Sequence, residues 1–259
     1  MSPIAYSAPR SDNVRAAGRA TLGEVAATWK DPSRRRVLVA FAVAAAAAFA
    51  FAHVAEDYLT NDPLARWDVE FARWLAGDRT ATGTDVFRVI TFFGSPPVAF
   101  VIAAVAGLFL YRRRELADAA LLAVVFVGAE VLNLILKLAF HRPRPEYAFV
   151  HLDTYSFPSG HAMISTAVYG ALAYLLWGRL KRGWARPALV AGTAVLLTAI
   201  GFSRLYLGVH YFSDVLAGVA GGAFWLAMSI ALVGLFGSAF AARLDGSRFD
   251  DAGRRITRS

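Results

Sequence analysis

Six long apolar runs, separated by short polar segments, dominate the chain. They cover residues 37–54, 89–111, 116–140, 161–178, 187–207 and 215–236. Each run approaches the roughly 20 residues that an α-helix needs to cross the hydrocarbon core of a bilayer. Helices also satisfy their own backbone hydrogen bonds in that medium. The pattern therefore predicts an all-α, polytopic membrane protein with six transmembrane helices.

The composition supports this fold class. Of the 259 residues, 57% are hydrophobic and 18% are charged, and the mean hydropathy is +0.47, which is too apolar for an ordinary soluble domain. The net charge of +8 would suggest a nucleic-acid partner for a soluble protein, but the hydropathy argues against one. The chain has no cysteine, which excludes disulfides and a cysteine nucleophile.

The basic residues predict the orientation in the membrane. They gather in both tails, in the second-to-third loop and in the fourth-to-fifth loop, which share one side of a six-helix arrangement. The first loop on the other side is rich in Asp and Glu. By the positive-inside rule, both termini are cytoplasmic, and loops 55–88, 141–160 and 208–211 face outward. The chain then divides into a basic tail, a six-span domain and a second tail, at residues 1–36, 37–236 and 237–259.

The first outer loop is predicted to contain a helix over residues 62–77. Pro63 suits a first helical turn. Apolar side chains then recur at helical spacing, at Leu64, Trp67, Phe71, Trp74 and Leu75. We interpret this segment as an interfacial helix whose tryptophans lie among the lipid headgroups, with lipid gating as an alternative role.

Three polar clusters stand where the outer loops meet the predicted spans. The first joins Lys137 to Arg144, although Lys137 alone could simply extend to the interface. The second is the sequence Pro-Ser-Gly-His at residues 158–161, where a helix start offers backbone N–H groups and a favourable dipole to an anion. Such a tetrapeptide could also be an ordinary helix cap.

The third cluster contains Ser203, Arg204, His210 and Asp214. His210 and Asp214 are four residues apart, so on a helix their side chains can meet, and the carboxylate would then fix the imidazole tautomer. This is how a histidine nucleophile or base is prepared. Taken singly, the pair could equally be a local hydrogen bond.

The predicted topology brings all three clusters to one membrane face. Cations without a cage of carboxylates indicate an anionic substrate, and a Mg²⁺ or Ca²⁺ site would need more acidic residues than these loops contain. A zinc site built from histidines, among them His141 and His151, remains open, but the neighbouring lysine and arginines would repel a cation. We predict neither a metal nor a cofactor.

Together the three clusters resemble the three-part signature of the type 2 phosphatidic acid phosphatase superfamily, in order and in spacing. The resemblance covers roughly residues 85–236. It implies that His210 attacks phosphorus, that Asp214 orients His210 and that His161 protonates the leaving oxygen. It also implies five ligands for the phosphoryl oxygens, namely Lys137, Arg144, Ser159, Gly160 and Arg204.

The resemblance leads to an expected function. We expect a metal-independent lipid phosphate or diphosphate phosphatase, integral in the cytoplasmic membrane, whose active site faces the exterior and whose reaction passes through a phosphohistidine. Undecaprenyl diphosphate is the leading substrate, ahead of phosphatidylglycerophosphate and phosphatidic acid. A second class of function is a transporter that binds a lipid phosphate or another anion without cleaving it. Vanadate-dependent haloperoxidases resemble this superfamily at the phosphate site, but the six predicted spans argue against membership of that soluble family.

Overall fold

A computed structural model describes residues 31–150, 153–244, 248–249 and 255–256 of the chain. Eight α-helices lie within these ranges: α1 Pro32–Thr60, α2 Pro63–Gly77, α3 Ala81–Phe93, α4 Pro96–Arg112, α5 Leu116–Phe140, α6 Gly160–Arg179, α7 Ala185–Tyr206 and α8 Phe212–Leu244. Two short strands follow, β1 Arg248–Phe249 and β2 Arg255–Ile256, and they pair antiparallel. The predicted all-α membrane fold is confirmed.

Five segments within the described ranges are long and apolar enough to cross a membrane: Pro32–Thr60, Ala81–Arg112, Leu116–Phe140, Ala185–Tyr206 and Phe212–Phe236. The second of them contains α3 and α4. These two helices are separated at Gly94 and Ser95, and Pro96 begins the new helix because its ring favours the first turn.

The fourth predicted span corresponds to α6, which does not reach the same apolarity. Residues 162–168 of this helix are all buried, so the first half of α6 is surrounded by protein on every side. A helix that contacts other helices needs less apolar surface than one that contacts lipid. The count of six spans and the cytoplasmic termini stay predictions, and residues 1–30 of the predicted tail lie outside the described part.

The central helix α6 packs against α5, α7 and α8, while α1 lies along α8. The contact of α6 with α8 is close because α8 presents glycines there. A Cβ on Gly218 would lie 2.6 Å from the carbonyl oxygen of Ser159, and a Cβ on Gly222 would lie 2.3 Å from that of Met163. Small residues allow two membrane helices to approach backbone to backbone.

The two ends of the bundle differ in chemistry. At one end, Arg179 of α6 forms ion pairs with Glu115 and with Asp118 of α5. At the opposite end, α2 covers the polar clusters, and its Trp67 and Phe71 pack on Phe212 at the start of α8. The structure thus contains a helix where residues 62–77 predict one, while its position among lipid headgroups stays a prediction.

Candidate active site

His210 and Asp214 meet at the start of α8. Nδ1 of the buried imidazole lies 3.3 Å from Oδ2 of Asp214. The helix begins at Phe212, so His210 itself belongs to the preceding turn, and the predicted pairing forms across a helix start. With a proton on Nδ1 facing the carboxylate, the lone pair of His210 is on Nε2, the nitrogen that faces Arg144 at 3.4 Å.

The Asp214 carboxylate is fixed by the local helix geometry. It is fully buried and occupies the third helical position, from which Oδ2 accepts the backbone N–H of Tyr211 at 2.9 Å. This is one half of a capping box, in which a side chain satisfies an N–H that the helix leaves free. The same oxygen is therefore held in place for His210.

Lys137 and Arg144 are held by carbonyl groups of the loop that follows α5. Lys137 donates to the carbonyl oxygen of Tyr155 at 2.5 Å, so it does not extend away to the interface. Arg144 donates to the carbonyl oxygen of Thr154 at 2.8 Å and to that of Val209 at 2.6 Å. Neither cation is paired with a carboxylate among the described residues, and Arg144 faces Nε2 of His210.

Ser159 is the N-cap residue of α6. The sequence predicted free backbone N–H groups at this helix start, but the N–H of Ser159 is already bonded. That N–H donates to the carbonyl oxygen of Asp214 at 2.9 Å, because α6 and α8 begin side by side. The Ser159 hydroxyl is instead available: it is buried and has no hydrogen-bond partner among the described residues. The close packing also requires Gly160, since a Cβ there would lie 2.9 Å from the Asn133 amide oxygen.

His161 and Arg204 border the break between α3 and α4. Arg204 is buried and donates to the hydroxyl of Thr91 at 2.6 Å, while its Nε has no partner among the described residues. His161 packs close to Gly94, where an added Cβ would lie 3.5 Å from its ring. The broken helix thus leaves room for two site residues.

The site carries an uncompensated positive charge. Within the described residues, no carboxylate lies within ion-pair distance of Lys137, Arg144 or Arg204. Burial lowers the pKa of Arg144, an effect that Asp214 partly offsets. Burial and the three neighbouring cations also hold the pKa of His210 well below its ordinary value. These surroundings disfavour the protonated form of His210, and the neighbouring cations favour an anion beside it.

Three further polar residues adjoin His210 and Asp214 although no sequence motif marks them: Arg142, Asp68 and Ser213. Arg142 is 4% exposed, and one nitrogen donates to Asp214 Oδ1 at 2.7 Å while another donates to Asp68 Oδ2 at 2.9 Å. Asp68 is fully buried and accepts the backbone N–H of Ser213 at 3.0 Å. A possible signal was Asp68 itself, because it shares the buried face of α2 with Ala65, Ala72 and Leu75.

Other polar residues have local roles. Asn133 donates to the sulfur of Met163 at 3.6 Å, and Oε1 of Glu130, one turn away, has no partner among the described residues. His141 ends α5 in a left-handed conformation and packs on Tyr155. His151 lies outside the described part of the chain. Within that part, no three His, Asp or Glu side chains converge as a metal site.

The chain is similar in sequence to known bacterial phosphatases. The profile of the PAP2 superfamily matches residues 118–237. Over 140 residues the chain is 36% identical to phosphatidylglycerophosphatase B of Bacillus subtilis, covering 52% of this chain and 67% of that protein. It is also 36% identical over 141 residues to the decaprenylphosphoryl-5-phosphoribose phosphatase of Mycobacterium tuberculosis, covering 52% and 72% of the two chains.

The fold is similar to that of solved membrane proteins. The crystal structure of the transmembrane PAP2-type phosphatidylglycerolphosphate phosphatase from Bacillus subtilis matches with a TM-score of 0.67 and 28% sequence identity, covering 76% of this chain and 96% of that one. The structure of LpxE from Aquifex aeolicus matches with a TM-score of 0.50 and 24% identity, covering 62% and 92%. This second likeness concerns the fold alone.

Proposed function

Because this chain belongs to the PAP2 superfamily, whose phosphatases hydrolyse phosphate monoesters and diphosphates, we propose that it removes phosphate from membrane lipids without a metal ion. The observation that carries the proposal is the surrounding of His210. Its Nδ1 faces a buried carboxylate, and its Nε2 faces Arg144, which has no carboxylate within ion-pair distance in the described part of the chain. Lys137 and Arg204 are further cations that act on His210. That arrangement suits a nucleophile facing a phosphoryl group.

The proposed reaction has two steps. In the first, His210 Nε2 forms a bond to phosphorus as the bond to the leaving oxygen breaks, and His161 gives that oxygen a proton. In the second, His161 takes a proton from water, whose oxygen attacks phosphorus and breaks the bond to His210. Inorganic phosphate leaves, and both histidines return to their starting states.

The binding residues act on the charge of the transferred group. Lys137, Arg144 and Arg204 would contact the phosphoryl oxygens as cations, and the hydroxyl of Ser159 and the first-turn backbone N–H groups at Gly160 would donate neutral hydrogen bonds. Donors that are already oriented cost no reorganisation when charge develops in the transition state. Asp214 stabilises the imidazolium form that the phosphorylated His210 resembles.

The substrate is a lipid whose phosphate reaches the rim of the helix bundle. A membrane-embedded site can receive the headgroup while the tail stays in the bilayer. The two bacterial relatives are named for a glycerolipid phosphate and for a decaprenyl-linked phosphate, which supports both classes of tail. Phosphatidylglycerophosphate therefore stands beside undecaprenyl diphosphate as a leading candidate, and phosphatidic acid remains a third. The predicted orientation places the reaction on the outer face.

The test is phosphate release from these three lipids by the purified protein in detergent with EDTA. We expect the parent protein to release phosphate and His210→Ala to release none, because the nucleophile is lost. The control is His53→Ala, since His53 is an exposed histidine on α1. A folded parent protein that binds the lipids but releases no phosphate would instead favour the anion transporter. Release that requires added metal would contradict the metal-free mechanism.

A further inference from the structure

A second buried carboxylate, Asp68, is connected to the His210 and Asp214 pair through Arg142. The guanidinium bridges two acids that come from different helices, Asp68 from α2 and Asp214 from α8. All three side chains are at most 5% exposed, so solvent screens their charges poorly. Tyr58 and Tyr211 cover the guanidinium, with ring centres 4.6 and 4.2 Å from its central carbon.

Ser213 ties the same residues together. Its backbone N–H donates to Asp68 Oδ1 at 3.0 Å, and its hydroxyl forms a short contact with the other Asp68 oxygen. Arg142 lies 2.6 Å from that hydroxyl as well. Asp68 therefore holds both the guanidinium and the first turn of the helix that carries Asp214.

Arg142 differs from the other arginines of the site. Arg144 and Arg204 have no carboxylate within ion-pair distance among the described residues, whereas Arg142 has two. These carboxylates outweigh the effect of burial and raise the pKa of Arg142. Because Arg142 is already paired with two carboxylates, we do not expect it to bind the phosphate.

We propose that Asp68 and Arg142 are positioning residues that set the orientation and the negative charge of Asp214, and through Asp214 the basicity of His210. This inference rests on the proposed phosphohistidine chemistry. Arg142 shares its positive charge between two carboxylates, so Asp214 keeps more negative charge for His210 than it would in a simple ion pair. Asp68 thus makes Asp214 a stronger hydrogen-bond acceptor for His210.

The proposal predicts the direction in which the pH profile moves. Apart from Asp214, the charged or titratable groups nearest His210 are Lys137 on α5, Arg144 in the loop, His161 on α6 and Arg204 on α7. None of them changes in the variants below. Asp68→Asn removes a negative charge, so Arg142 neutralises Asp214 more fully. Asp214 then stabilises the protonated imidazole less, and the pKa of His210 falls. We expect the acid limb of kcat to move to lower pH, and kcat to fall about 10- to 100-fold, the range seen when the outer partner of an oriented metal-binding histidine is removed.

A double variant, Asp68→Asn with Arg142→Gln, reverses the sign. It removes the cation in direct contact with Asp214 together with the more distant carboxylate. Because the nearer charge has the larger effect, His210 becomes easier to protonate. The acid limb should therefore move to higher pH. The double variant replaces both Asp68 and its partner Arg142 with neutral residues, so neither position keeps an unpaired buried charge. It can therefore be measured if the single variant fails to fold.

Two controls separate positioning from packing. Ser213→Ala removes a contact of Asp68 but no charge, so its acid limb should stay at the parent position. Glu70→Gln makes the same charge change on the exposed side of α2 and should leave both kcat and KM unchanged. KM of the lipid should change little in Asp68→Asn, because the three cations that face the phosphate remain.

The experiment is the pH dependence of kcat with phosphatidylglycerophosphate at saturation, for the full-length protein in detergent. Comparing variants on one lipid cancels the titration of the substrate itself. Opposite movements of the acid limb in the single and double variants would support the proposal. Unmoved limbs in folded variants, with an active parent, would overturn it and leave the phosphatase function standing. A parent that hydrolyses none of the lipids would overturn both.

Discussion

At the scale of single residues, unpaired polar atoms distinguish two residues of the candidate site. The Ser159 hydroxyl and the Nε of Arg204 are buried without a hydrogen-bond partner among the described residues. A buried donor that lacks a partner costs free energy in the empty site. A phosphoryl oxygen bound at the candidate site would recover that cost, and we therefore expect these two atoms to contact it.

We expect Ser159→Ala to lower kcat/KM about 100-fold, close to 3 kcal/mol, as for the loss of one preorganised donor. The control is Ser165→Ala on the same helix, since the Ser165 hydroxyl is also buried without a described partner but lies more than a turn further into the bundle. Steady-state hydrolysis of phosphatidylglycerophosphate measures both variants. Equal losses in the two would show that the effect comes from packing of α6.

The sequence predicts some of the contacts at the candidate site and misses others. Short-range relations were accessible: His210 and Asp214 are four residues apart, and their pairing follows from helix geometry. The link from Asp68 to Ser213 joins residues 145 positions apart, so no local spacing encodes it. Ser159 shows a further limit, because its N–H is taken by a carbonyl group that only the packing of α6 on α8 brings near.

At the scale of elements, the site depends on how closely α6 and α8 approach. Gly218 and Gly222 face the first turns of α6, which carry Ser159, Gly160 and His161. Apolar runs in the sequence predict where the membrane helices are. They do not predict which helix lies at the centre of the bundle. The central helix α6 is less apolar than the five segments around it, and its first half is enclosed by other helices.

We expect Gly222→Ala to destabilise the protein by about 1–3 kcal/mol, the usual cost of overpacking, because the added Cβ would meet the Met163 carbonyl oxygen. Gly192→Ala on α7 is the matched control, with no atom within 4 Å of the added Cβ. Thermal unfolding in detergent compares the two variants with the parent. A Gly222→Ala protein as stable as Gly192→Ala would contradict the close packing.

At the scale of the whole molecule, the distribution of charge between the two ends of the bundle predicts its orientation. The site lies at one end, with α2 over it, and the ion pairs of Arg179 lie at the other. Because basic segments remain on the cytoplasmic side, we infer that the site faces outward. The sequence contains the information for this orientation, although the fold by itself does not.

The absence of cysteine from the chain makes the orientation directly measurable. A cysteine introduced at Asp78, between α2 and α3, should react with a membrane-impermeant thiol reagent added outside intact cells. A cysteine at Arg113, between α4 and α5, should react only after the membrane is permeabilised. The reverse pattern would place the site on the cytoplasmic side and contradict the proposed outer-face reaction.

The connection between Asp68 and the first turn of α8 also has a consequence for biogenesis. A polypeptide enters the membrane from its N-terminus, so α2 is made long before α8. Until α8 is inserted, Arg142 can pair with Asp68 but not with Asp214, which is not yet present to accept a hydrogen bond from the guanidinium. The pairing of His210 with Asp214, and its link to Asp68 through Arg142, therefore form only when α8 is in place, whereas Lys137, Arg144 and Arg204 are synthesised earlier.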